Sequence, residues 1–106
     1  TQDDEVEMGV LDAINAYKGS AKLNIKLITG VSARKENLDT FEKEKIDQGT
    51  YAFSPAMVRE AVKLGADVLA GKTLEKSYII KTVEVDRNNV NDFRNSDIYK
   101  IRYSIQ

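Results

Sequence analysis

Segments of helical and of strand periodicity alternate along this chain, and that order restricts its fold more than any single residue does. Over residues 4–17 the apolar side chains Val6, Val10, Leu11, Ile14 and Tyr17 recur at three- and four-residue steps, which places them on one helical face ended by Gly19 and Ser20. Residues 23–29 (Leu-Asn-Ile-Lys-Leu-Ile-Thr) are short, bounded by turn residues and rich in strand formers. The adjacent Leu27 and Ile28 mark them as a central strand buried on both faces near its end. After Gly30 and the loop Val31-Ser32-Ala33-Arg34, a charged helix is expected over 35–46, with a thin inner face of Leu38, Phe41 and Ile46, closed by Asp47-Gln48-Gly49. Residues 50–53 form a short strand, and Ser54-Pro55 starts the next helix, because serine caps orphan amides and proline at the first helical position loses no hydrogen bond. That helix runs over 55–70 with a narrow apolar face of Val58, Ala61, Val62, Gly65, Val68 and Leu69, and Gly71 suits a left-handed cap. A β-branched strand over 78–85, the polar turn Asp86-Arg87-Asn88-Asn89-Val90 and an alternating edge strand over 99–105 complete the series. Helix, strand, helix, strand, helix, strand is the order of an α/β protein with helices layered on a mainly parallel sheet.

Composition narrows the chemistry. With 106 residues, 42% of them apolar, the chain is the size of one domain. Its 16 lysines and arginines are matched by 17 aspartates and glutamates, so it lacks the excess positive field that grips phosphate backbones, and nucleic acid is not an expected partner. No apolar run reaches the roughly 18 residues of a membrane span, so direct insertion is not expected either. Cysteine and histidine are both missing, which removes thiol nucleophiles, thiolate zinc sites and the side chain best suited to proton transfer near neutral pH. A serine hydrolase built on Ser54 would need Lys63 or Lys72 as its base, and no spacing supports that. The expectation is a protein that is not an enzyme and calls for no cofactor or metal.

Parallel sheets bind ligands beyond the carboxyl ends of their strands. Three loops fall at equivalent ends here: Gln2-Asp3-Asp4, Gly30-Val31-Ser32 and Ala52-Phe53-Ser54. Together they offer acceptors, a hydroxyl and an aromatic face, a set suited to a polyhydroxylated or small polar ligand. Each residue also has a plainer reading. Asp3 and Asp4 suit the first turn of a helix, through its dipole and its unpaired amides. Ser32 suits a loop or a cap, and Phe53 suits a core. The run Lys35, Glu36, Glu42, Lys43, Glu44, Lys45 is a solvated helix face with local ion pairs.

Over residues 1–93 the chain resembles the type I (sugar-type) periplasmic solute-binding proteins of ABC transporters. The likeness rests on the joint order of Asp3-Asp4-Glu5 opening a helix that contains Gly9, the strand ending in Gly30, the helix start Ser54-Pro55, the turn Leu69-Ala70-Gly71-Lys72, and Val85-Asp86-Arg87-Asn88-Asn89-Val90. The resemblance implies ligand contacts at Asp3 (an asparagine in relatives), Asp4, Ser32 (an aspartate) and Phe53 (a glutamine), so two of the usual polar clamps are weakened. It implies capture of a sugar or related small polar ligand, an extracytoplasmic location, and a membrane permease or sensor as partner. It also implies that the chain is the C-terminal portion of the fold. Residues 55–70 would then belong with a missing N-terminal lobe, leaving the apolar face of that helix exposed, folded back or associated with another chain. The alternative within the same likeness is a fragment of the effector-binding domain of a transcription regulator, or a small α/β interaction module.

Overall fold

The computed structural model describes residues 1–53, 55 and 57–101. The elements are α1 (Asp4–Ala16), β1 (Leu27–Val31), α2 (Lys35–Leu38), β2 (Asp47–Ala52), α3 (Met57–Leu69), β3 (Val83–Asp86), α4 (Val90–Asn95) and α5 (Asp97–Ile101). They make a small α/β protein. Its sheet has the order β1-β2-β3, with β1 and β2 parallel and β2 and β3 antiparallel. The sheet is therefore mixed where a mainly parallel one was expected, and the middle strand is β2 where the expected central strand had been β1.

Register explains the change of direction. Ala52, the last residue of β2, is paired with Val83, the first of β3, so the chain leaves the sheet and re-enters it at one edge. Everything between, α3 included, is an excursion from that edge. The strand expected over 78–85 begins late for the same reason. Tyr78, Ile79 and Ile80 lie out along the excursion and exposed, and among the described residues no neighbouring strand completes their backbone hydrogen bonds.

One face of the sheet is covered. Ile28 and Gly30 of β1, Gln48, Thr50 and Ala52 of β2, and Val85 of β3 share it and are all buried. The core there comprises Ala33, Leu38, Phe41, Ala52, Val85, Val90 and Phe93, with Val83 and Tyr99 packed against it. On the other face Leu27, Thr29, Tyr51 and Glu84 are exposed. Parallel strand pairs are normally covered on both sides. The chain exposes 7821 Å² in total, where a compact protein of its 11.9 kDa exposes about 6,000 Å². Its radius of gyration is 17.9 Å, against about 13 Å for a compact domain of similar length.

Two further expectations change. The helix expected over 35–46 stops at Leu38 and continues as turns, in which Thr40 and Phe41 bond back to the carbonyls of Asn37 and Leu38. The Thr40 hydroxyl also lies 2.7 Å from the Asn37 carbonyl, offering that acceptor a side-chain partner in place of the next helical amide. Phe41 is fully buried, so the tightened turn still delivers the expected apolar contact. At the end of the chain, Tyr99 to Ile101 belong to α5 and not to an alternating strand. Ser96 starts that helix by accepting the Tyr99 amide (3.2 Å), and the Tyr99 ring meets Phe93 edge-on with centroids 5.5 Å apart. The rest of the expected edge strand, residues 102–105, and the capping role expected of Ser54 lie outside the described residues. Gly71 has φ +77, as expected of a left-handed helix cap.

Candidate functional site

The amino end of α1, the loop after β1 and the carboxyl end of β2 meet at one edge of the sheet. Their meeting is fixed by the loop Ser32-Ala33-Arg34, whose three successive amides are each held by a different group. The Ser32 amide donates to the Tyr51 carbonyl of β2 (3.0 Å). The Ala33 amide donates to the Thr50 hydroxyl (3.3 Å), and the Arg34 amide donates to Asp4 Oδ2 (2.7 Å). Thr50 in turn donates its proton to Asp4 Oδ1 (2.7 Å). One carboxylate on α1 thus ties the β1–α2 loop to β2.

The bonds hold a strained backbone. Ser32 has φ 127 and Ala33 φ 55, both in the region that favours glycine. Such residues cost about 1–3 kcal/mol each and persist where their surroundings over-determine them. Gly30, just before them, shows how closely α1 approaches. A Cβ built on Gly30 would overlap Glu7 Oε2 and Asp4 Oδ1. Glycine is needed here for space.

Asp4 is fully buried, and each of its oxygens already accepts a hydrogen bond from within the chain. It is an internal strut, a correction to the ligand contact expected of it. Asp3 caps α1 by accepting the Val6 amide at Oδ1 (2.8 Å) and remains half-buried, so the helix-capping reading holds for this residue. Ser32 is half-buried at the tip of the strained loop, and Phe53, just past β2, is exposed and outside the core. Asp3, Ser32 and Phe53 therefore lie on the three segments that converge at the carboxyl ends of the parallel pair, with Asp4 beneath them.

Three polar residues of this edge were not singled out from the sequence: Thr50, Glu7 and Asn37. All three are fully buried. Glu7 Oε2 accepts from Asn37 Nδ2 (2.7 Å), linking α1 to α2. Burial pushes the Glu7 carboxyl up to about 7; the Asn37 bond opposes the rise and the Asp4 charge adds to it. The available signal was the spacing Asp4, Glu7, Leu11, which is one helical stripe and is the stripe α1 buries. The apolar pattern shares Leu11 with that stripe and leaves Val10 and Ile14 half-buried, but its ends, Val6 and Tyr17, are exposed.

Among the described residues no group of carboxylates is placed to hold a metal ion, and no helix is long and apolar enough to cross a membrane. No protein-family model and no curated protein sequence matches the chain.

Proposed function

We propose that this chain is the C-terminal portion of a type I, sugar-type solute-binding protein, and that Asp3, Ser32 and Phe53 form part of one wall of its ligand cleft. The carrying observation is the convergence of three loops at the carboxyl ends of β1 and β2, locked by the two hydrogen bonds of Asp4. Ligands of open α/β sheets bind at that end. Asp3 supplies acceptors, Ser32 brings a hydroxyl, and the exposed ring of Phe53 suits the apolar face of a sugar-like molecule. Strain concentrated at Ser32 and Ala33 accords with a site, since such strain collects where ligands are held.

The excursion supports the same reading. It leaves and re-enters the sheet at the edge that carries these residues, as a pair of crossings between two lobes would. The helix α3 on it buries none of its residues. Together with the uncovered face of the sheet, this is the surface left when a second lobe and further structure on the sheet are taken away. In the whole protein, closure of the lobes around a ligand would present the closed form to a permease or sensor outside the cell membrane.

The test uses amide chemical shifts of the chain during titration with a panel of aldoses and polyols at millimolar concentration. One member should shift Asp3, Ser32 and Phe53 together while leaving α4 still. Asp3→Ser, which keeps a capping oxygen but removes the carboxylate, should weaken that response several-fold. If no member of the panel moves these residues, or if Asp3→Ser and Ser32→Gly leave the affinity unchanged, the capture reading fails. The coding sequence upstream then separates transport from regulation: an export signal marks the first and a DNA-binding segment the second.

A further inference from the structure

Under the candidate edge lies a pair of buried polar side chains that is chemically incomplete. Glu7 of α1 and Asn37 of α2 are both fully buried and share one hydrogen bond, from Asn37 Nδ2 to Glu7 Oε2 (2.7 Å). The remaining oxygen of each, Glu7 Oε1 and Asn37 Oδ1, has no partner among the described residues. Both are acceptors when Glu7 is ionised, so neither can satisfy the other. A single added proton changes this: a carboxylic acid and a primary amide match each other donor to acceptor on both sides.

We propose that Glu7 is a protonated, neutral acid in the folded chain, donating Oε1–H to Asn37 Oδ1 while it accepts from Asn37 Nδ2, and that this proton clamps α1 to α2 beneath the candidate edge. The surroundings favour the neutral acid. On its own helix, Glu7 faces Asp4, whose charge opposes a second one nearby. From β1 it meets Gly30, which is uncharged, and on β2 the nearby Thr50 hydroxyl is committed to Asp4. The cations of the neighbouring loop and helix are engaged elsewhere: Arg34 with Glu5 and Glu36, and Lys35 with Asp39. The Thr1 ammonium donates to the Thr29 carbonyl (2.6 Å) and pulls weakly toward ionisation. Desolvation outweighs it and holds the proton to about pH 7. This inference does not rest on ligand capture and stands or falls separately.

The sign of the pH dependence follows. The folded chain keeps the proton well above the ordinary value of 4.5, so the stabilisation is complete below that value and is lost as pH rises through about 7. Between about pH 5 and 7 the unfolding equilibrium constant should rise by up to about tenfold per pH unit. Glu7→Gln replaces the acid by an amide that pairs with Asn37 in the same two-bond pattern at every pH. Chemical denaturation of both chains from pH 5 to 8 should find the variant close to the original at pH 5 and the more stable at pH 8, with the slope of this window removed. The Glu7 carboxyl ¹³C shift of the original chain should titrate near pH 7, a measurement that decides the matter even if the variant does not fold. A variant equally destabilised at all pH values, or a Glu7 midpoint near 4.5, overturns the proposal.

Discussion

The helices α1 and α3 are both thirteen residues long, and they meet opposite fates. The stronger apolar stripe belongs to α3, with Val58, Val62 and Leu69 along it, yet α3 buries none of its residues and Leu69 is 91% exposed. By contrast α1 buries two acids and one leucine, Asp4, Glu7 and Leu11. What separates them is the surface each meets. The polar stripe of α1 lies against the β1–α2 loop, where an amide and a hydroxyl take both oxygens of Asp4 and a side-chain amide takes one oxygen of Glu7. Asp4 is tolerated inside because both of its oxygens are bonded there. Among the described residues α3 meets Tyr78, Ile79 and Ile80 across an open groove that buries none of its residues. Amphipathic pattern records that a partner surface is wanted; burial records that one is present.

The largest effect should come from removing the strut. Asp4→Ala leaves the buried Thr50 hydroxyl and the Arg34 amide without their acceptor, and each orphaned group costs about 1–3 kcal/mol. A loss of about 3 kcal/mol in chemical denaturation is expected, with the Ser32–Arg34 loop amides exchanging faster than those of α4. A loss below about 1 kcal/mol would mean that water replaces the carboxylate and that α1 is no better anchored than α3. Next is Gly30→Ala, whose new methyl would overlap Asp4 and Glu7. Displacing α1 by overpacking should cost about 2 kcal/mol by the same measurement.

The contrast also explains which parts of the fold could be read in the sequence. Periodicity located α1 and α3 because each carries its signal locally, and Gly71 announced its own conformation, but only the second half of β2 was found, since Asp47-Gln48-Gly49 had read as the close of the preceding helix. It did not locate the end of α2, where Thr40 competes for the Asn37 carbonyl, or α4, whose six residues are too few to show a helical period. Nor did it give the direction of β3, which follows from where the excursion returns and not from the residues 83–86 themselves. In the candidate site, loop order alone brought Asp3, Ser32 and Phe53 to one edge. The division of labour between the capping Asp3 and the buried Asp4 was not legible, because it depends on Thr50 and Arg34, distant in sequence by 46 and 30 positions.

A smaller effect of opposite sign is expected at Ser32. Glycine occupies φ 127 without the steric cost that serine bears, so Ser32→Gly should raise stability by about 1 kcal/mol, part of the relief being offset by the greater freedom of the unfolded chain. If the same variant also weakens ligand response, serine is retained at a strained position for its hydroxyl. If stability falls instead, the Ser32 side chain makes contacts that outweigh the strain, and the edge is held by more than its backbone.

The smallest effect should be in α3, and it sharpens the comparison most. Val58→Ser combined with Val62→Ser removes the centre of the exposed stripe, where the two valines are 63% and 68% accessible. Surface changes of this kind stay within about 0.5 kcal/mol, whereas removing two buried valines would cost about 1.5–3 kcal/mol each. Hydrogen-exchange protection of the β2 amides, a readout of the body and not of α3 itself, should therefore stay unchanged in the double variant. Loss of protection worth 2 kcal/mol or more would show that α3 folds back onto the sheet in solution. In a longer protein supplying the second lobe, the same pair should become costly, because the stripe would have gained the surface that α1 already has.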